Sequence, residues 1–336
     1  MNASIYIHTN HKPTATTSAI VDNQQAHQLA TLIEQYTASI DVKPTSQAHY
    51  KRTAELFFDW TATTGRQVDK LTEADIKAYK NDLEASGKSP LTIGSYINGV
   101  RCFYKWASKH NLCENIAADI KAPKKPNKIR KQPLTIEQCG DLLRHEAETS
   151  ARDFALATLL LQTGLRTIEA RRANIGDITY RGGKRVLLVW GKGHEDKDDF
   201  VLITDRTADA IDNYLQTRPN AKQNEPLFVS NSHHNQGGRL TTHSISRIVK
   251  TGLKAIGLND KVYTAHSLRH TCGVNILRAG ASLDTAQYTL RHVSPETTQI
   301  YVATLKEEQR LKKGGEYVIE DLFNQSFGEI EPTAIF

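Results

Sequence analysis

Apolar residues recur every three or four positions through most of this chain and run consecutively in only a few short stretches. Leu29, Ile33, Tyr36 and Ile40 share one helical face, as do Tyr50, Ala54, Phe57 and Phe58. Thr72 opens the next helix as its N-cap, with Leu71 and Ile76 placed as a hydrophobic staple. Ser89-Pro90 starts a fourth, whose apolar face is Ile93, Tyr96, Ile97, Val100, Phe103, Tyr104 and Ala107. These four helices predict a compact all-α domain over residues 26–118. Its aromatic residues fall on the periodic face, which assigns them to a core. Residues 1–25 are polar and aperiodic and read as a disordered arm.

A second domain is predicted over 134–312. It opens at Leu134-Thr135 with Gln138 completing a capping box, and an apolar helix from Phe154 to Leu161 stops at Gly164. VLLVW at 186–190 and FVLI at 200–203 read as a β-hairpin with a polar tip, and PLFVS at 226–230 as a short strand. Helical periodicity returns over about 205–217, 241–256, 267–279 and 283–290. Ser294-Pro295 starts one more helix, with Tyr301 two turns inside it or just past its end. In the tail, 313–336, Val318, Leu322 and Phe323 form an apolar helical stripe. The fold class is therefore mainly α, with one small antiparallel sheet in a mixed α+β second domain.

At 336 residues the chain is long enough for two cores. It holds no apolar run of membrane-spanning length, and MNASIYIHTNHKPTATTSA lacks the pattern of a signal peptide. Cys102, Cys113, Cys139 and Cys272 are scattered without zinc spacing, as expected of reduced thiols in a cytoplasmic protein. The net charge of +6 is mild, but its distribution is uneven. Within a linker at 119–133, Lys121, Lys124, Lys125, Lys128, Arg130 and Lys131 are interleaved with prolines and no acid after Asp119. Such a basic, stiffened strap suits a path along a phosphate backbone, where binding releases counterions.

The candidate chemistry is dispersed along the second domain: Arg166, Lys192, His266, Arg269, His292 and Tyr301. Attack by a tyrosine on a phosphodiester needs fixed cations at the non-bridging oxygens, help in removing the phenol proton, and an acid for the leaving 5′-oxygen. Arginine serves the first need because its planar fork stays charged and meets phosphate bidentately. Lysine or histidine can serve the others. No metal or other cofactor is called for. His266 and His270 lie four apart, but no H-E-x-x-H glutamate or third ligand accompanies them, and no acidic cluster suggests a metallonuclease.

TGLR at 163–166, WGKG at 190–193, HSLRH at 266–270, LRH at 290–292 and Tyr301 nine residues after His292 form an ordered set of boxes. Together they resemble the catalytic domain of the tyrosine recombinase (phage integrase) family over about residues 135–305. The resemblance implies that Arg166 and Arg269 clamp the scissile phosphate and that His292 adds a hydrogen bond to it. It further implies that His266 assists proton transfer, Lys192 protonates the leaving 5′-hydroxyl, and Tyr301 forms a 3′-phosphotyrosyl link. The first domain resembles the family's SAM-like core-site-binding domain, in the two-domain layout of Xer-type recombinases. Expected partners are double-stranded DNA with specific core sites, further copies of the chain in a tetramer on two sites, and, as a possibility, accessory DNA-bending proteins. The activity implied is integration or excision of a mobile element, or resolution of chromosome dimers. The alternatives are relaxation of the type IB topoisomerase kind and a DNA-binding relic without catalysis.

Several positions leave two readings open. Glu169 orients Arg166 or forms a surface ion pair. The hairpin tip, His194 to Asp199, is acidic where the family commonly has bases, and weakened phosphate contact is the expectation. Arg291 stands where the family has glycine, and either adds a DNA contact or sits at the surface. Tyr288, the nearest rival nucleophile, is assigned to core packing by its helical position. The tail helix packs on its own domain or, as the resemblance suggests, docks into a neighbouring copy.

Overall fold

The computed structural model describes residues 23–124, 131–190, 196–292 and 294–327. Most of the expected N-terminal arm, strap residues Lys125, Lys128 and Arg130, and Lys192 with the first part of the hairpin tip lie outside them. The chain divides into two compact units, Met1–Lys128 and Ile129–Phe336.

The first unit contains α1 (Asn23–Ser39), α2 (Pro44–Thr63), α3 (Glu73–Ala85) and α4 (Pro90–Lys109). Local chemistry sets its boundaries. The Thr72 N–H and hydroxyl both donate to Asp75, and Ser89 Oγ accepts the Thr92 N–H ahead of Pro90. Tyr36, Phe57, Phe58, Tyr79, Phe103 and Tyr104 are buried in one core with Ile76, Ile93 and Ile97. Ala117 and Ile120 return to that core after α4, so the start of the expected strap is anchored in the unit.

The second unit begins with α5 (Ile136–Thr149), α6 (Ala151–Thr163) and α7 (Thr167–Arg172). An antiparallel sheet follows, in the order β1 (Ile178–Arg181), β2 (Lys184–Val189), β3 (Asp199–Leu202). Leu187 faces Ile178 on one side and Val201 on the other. Then come α8 (Asp205–Gln216), α9 (Thr242–Ala255), α10 (Ala265–Arg278), α11 (Leu283–Leu290), α12 (Glu296–Lys313) and α13 (Gly315–Phe327). Leu156, Leu159 and Leu160 of α6 share a core with Leu187 and Val189 of the sheet and with Ile211, Leu253 and Leu268. A smaller cluster joins Cys272 and Val274 of α10 to Leu290 and Tyr301, and this second core underlies the site.

Two expectations for the sheet need correction. The run at 226–230 is not a strand: it makes only isolated bridges, Asn174 to Pro226 and Val229 to Arg239. Its apolar residues are buried by packing, with Arg218 binding the Pro226 and Leu227 carbonyls at 3.0 Å. Conversely, β1 was not anticipated, although Gly182 and Gly183 supply the positive φ angles of a two-residue hairpin turn. The tail forms a helix as expected, and Tyr317, Val318, Ile319 and Leu322 on it are all more than half exposed.

Candidate active site

The TGLR segment is one helix ending and another beginning. α6 stops at Gly164, whose φ of +60° suits glycine and where a Cβ would lie 2.3 Å from Leu290 Cδ2. Arg166 is the N-cap residue of α7. Glu169 folds back to it: Oε2 accepts the Arg166 N–H at 2.7 Å and Oε1 accepts Nη1 at 2.8 Å. Burial pushes the Glu169 carboxyl upward, but Arg291 and Arg166 outweigh burial and hold it below its ordinary value. Glu169 thus orients the guanidinium rather than decorating the surface.

α10 carries His266, Arg269 and His270 in its first two turns. Arg269 is 2% exposed, with Nη1 donating to the Gly164 carbonyl and Nη2 to the Leu290 carbonyl. It therefore satisfies the C-terminal ends of α6 and α11, where helix carbonyls lack intrahelical partners. Burial and the nearby Arg166 push its pKa down to about 10, so it stays charged at neutral pH. His266 is exposed. The surrounding protein, then Arg269, Arg166 and Lys131, hold it below the ordinary histidine value.

Tyr301 lies in the second turn of α12 and is 4% exposed. Its ring packs on Gly273 of α10, where a Cβ would come within 2.7 Å of Tyr301 Cε2. The His270 ring is 4.8 Å away and tilted, and the His292 ring is 5.9 Å away and stacked. His292 Nδ1 is 2.9 Å from Thr298 Oγ1, a buried hydroxyl on the same helix as the tyrosine. Burial raises the phenol's pKa, while Arg269 and Arg166 pull it back. The fold thus gathers Arg166, His266, Arg269, His292 and Tyr301 around one electrostatic focus; Lys192 lies outside the described residues. Among the described residues, no three His, Cys, Asp or Glu side chains form a group suited to a metal ion.

Arg291 is not a surface residue. Its side chain is 8% exposed and Nη2 donates to Glu169 Oε2 at 2.8 Å. Tyr288 is 76% exposed, so its helical position does not make it a core residue. It lies on the face of α11 opposite buried Ala286 and Leu290. In the described part of the hairpin tip, Lys197 pairs with Asp177 and Asp199 lies 3.7 Å from Arg291. Of the strap residues, Lys121 and Lys124 are exposed, while Lys131 donates to the Lys261 carbonyl at 2.9 Å, in the loop before α10. Sequence reasoning missed Gly273 and Thr298. A glycine in the middle of a helix was the only signal for the first.

Burial makes the site sensitive to acid. His270 and His292 have their pKa values pushed down to about 4, first by burial and then by neighbouring cations, His266 for the former and Arg269 for the latter. The unfolded chain takes up these protons near pH 6.5, whereas the folded chain resists them. Stability from each histidine is full above pH 6.5 and is lost as pH falls towards 4. By pH 5 each costs about 2 kcal/mol, at about 1.4 kcal/mol per pH unit. Glu146 works in the opposite sense, because burial raises its pKa to about 7. The clean measurement is therefore a difference. His270→Gln is expected to be less stable than wild type at pH 7.5, with the gap narrowing by about 2 kcal/mol at pH 5 in urea denaturation. A gap independent of pH would contradict the assignment.

A helical unit joined to a mainly helical unit with a small antiparallel sheet, its tyrosine ringed by arginine and histidine, has the architecture and site of a DNA strand transferase. Residues 132–308 match the description "Phage integrase family". The chain is 31% identical over 246 residues to tyrosine recombinase XerC of Corynebacterium efficiens, covering 71% of this chain and 76% of that protein. It is 29% identical over 293 residues to XerC of Corynebacterium glutamicum, covering 85% and 92%. Among solved structures, XerH site-specific recombinase bound to palindromic difH substrate matches with a TM-score of 0.67 at 19% identity, covering 88% of this chain and 90% of that one. A lambda integrase dimer bound to a core site matches at 0.64 and 18%, covering 82% and 76%; the two structures share the fold. The chain belongs to the phage integrase family of tyrosine recombinases.

Proposed function

We propose that this protein cuts and rejoins double-stranded DNA at specific core sites through a 3′-phosphotyrosyl bond at Tyr301. One observation carries the reading: segments far apart in sequence meet at one place, where Arg269 ties Gly164, two residues before Arg166, to Leu290, two residues before His292, and the His292 ring stacks 5.9 Å from Tyr301. In the reaction, the Tyr301 oxygen attacks phosphorus and the bond to the 5′-oxygen breaks. The phenol proton leaves with help from His266, and Lys192 protonates the departing 5′-hydroxyl. Arg166, Arg269 and His292 stabilise the charge on the non-bridging oxygens, a role that requires donors fixed before the charge develops. A 5′-hydroxyl from a partner strand reverses the step, so the covalent link conserves the bond energy and no cofactor is consumed.

The strap residues Lys121, Lys124, Lys125, Lys128, Arg130 and Lys131 contribute phosphate contacts. The exposed stripe of α13 favours docking into a second copy, building the tetramer on two sites. The protein acts in the cytoplasm, on chromosomal or mobile-element DNA.

The test is covalent trapping on nicked duplexes carrying candidate junction sequences, in EDTA, with the adduct mapped by peptide mass spectrometry. The expected result is a metal-independent adduct on the Tyr301 peptide, with joined products between two DNA molecules in the unnicked reaction. An adduct on another peptide, or none from protein that footprints its site, would overturn the reading.

A further inference from the structure

Arg291 has an unusual backbone for its residue type. Its φ is +54° and ψ is +50°, and among the described residues only Asn111 shares a positive φ without being glycine. Few non-glycine residues adopt this conformation, and two of the three nitrogens of the side chain are hydrogen-bonded. Besides the bond to Glu169, Nη1 donates to the Thr289 carbonyl at 3.0 Å, and Nε points towards Asp199 at the start of β3, 3.7 Å away. Nε is buried without a hydrogen bond.

These contacts close a ring. Arg166 binds Glu169, Glu169 binds Arg291, and Arg291 follows Leu290, whose carbonyl accepts Arg269. Arg269 in turn donates to Gly164, two residues before Arg166. Both candidate phosphate-binding arginines are members, and His292 is the residue immediately after Arg291. Without the Arg291 side chain, the ring opens at a single point. Glu169 is then held only by Arg166, and the turn presenting the Leu290 carbonyl and His292 loses its tie to α7.

We propose that Arg291 is a positioning residue for strand cleavage: its guanidinium fixes Glu169, and through it Arg166, relative to the turn that presents His292. The inference rests on the recombinase chemistry assigned above. It differs from a role in DNA binding in what it changes: a positioning residue alters the cleavage rate at saturating protein, whereas a DNA contact alters the Kd. It differs from a purely structural role because glycine accepts the same backbone with less strain. Arg291→Gly therefore removes the ion pair while keeping the turn.

The test is a double-mutant cycle between Arg291→Gly and Glu169→Gln. The readouts are single-turnover cleavage of a nicked duplex at saturating protein, and the Kd for the same duplex. Arg291→Gly is expected to bind DNA within about twofold of wild type and to cleave roughly tenfold to a hundredfold more slowly. Arg291→Lys, which can still reach a carboxylate, recovers part of the rate. The double variant cleaves no more slowly than Glu169→Gln alone, because both changes break one connection. If Arg291→Gly cleaves at the wild-type rate, loses affinity in place of rate, or multiplies the Glu169→Gln defect, the inference is overturned while the recombinase reading stands. If wild type itself forms no adduct in the same assay, that reading fails and the inference falls with it.

Discussion

Tyr301→Phe is expected to abolish the covalent protein–DNA adduct, a loss on the order of 10³-fold or more, while leaving the fold intact. The substitution deletes one oxygen from a ring that is almost wholly buried among Val274, Leu290 and Cys272. Phenylalanine retains the packing on Gly273 and the stacking on His292. It also removes a hydroxyl whose burial carries a desolvation cost, so thermal stability should change by about 1 kcal/mol or less. Tyr288 is exposed on α11, and Tyr288→Phe should leave the adduct at its wild-type level. The check is a denaturing gel alongside circular-dichroism melting of both variants. An adduct that survives Tyr301→Phe would remove Tyr301 from the reaction. Failure of the variant to fold would show instead that the hydroxyl has a structural role.

The helices were legible because each rests on local chemistry. Thr72, Ser89, Thr135 and Gly164 mark boundaries through their own side-chain or backbone preferences, and the apolar spacing between them reports the buried face. The error at 226–230 has a different origin. A short apolar run says that a segment is buried, but not whether a neighbouring strand is there to pair with it. Tyr288 failed for a related reason: α11 has only eight residues, so two buried positions, Ala286 and Leu290, define its inner face and Tyr288 falls outside it. Arg291 was illegible because its role depends on Glu169 and Asp199, far away in sequence. The letter R in place of G showed only that something differs, whereas the ion pair with Glu169 gives the physical reason.

Arg269→Lys is expected to lower both cleavage and stability, despite keeping the positive charge. The guanidinium spans two carbonyls belonging to separate helix ends, and its remaining N–H groups are free in number to serve a phosphate. A lysine ammonium is a point donor on a flexible stem and cannot hold that fork. At least one of the Gly164 and Leu290 carbonyls loses its partner in a buried setting, at a cost of about 1–3 kcal/mol. The effect on chemistry follows from geometry. Donors that stabilise charge in a transition state must be fixed in advance, and losing one typically costs roughly 10²–10³ in rate. Arg269→Ala removes the charge as well, and breaking a buried network in this way costs about 3–5 kcal/mol. The two variants therefore separate charge from geometry. Single-turnover cleavage should be measured at a temperature where circular dichroism shows each variant folded. A lysine variant that cleaves at the wild-type rate would mean that charge alone suffices, and that the two-carbonyl fork serves only to join α6 and α11.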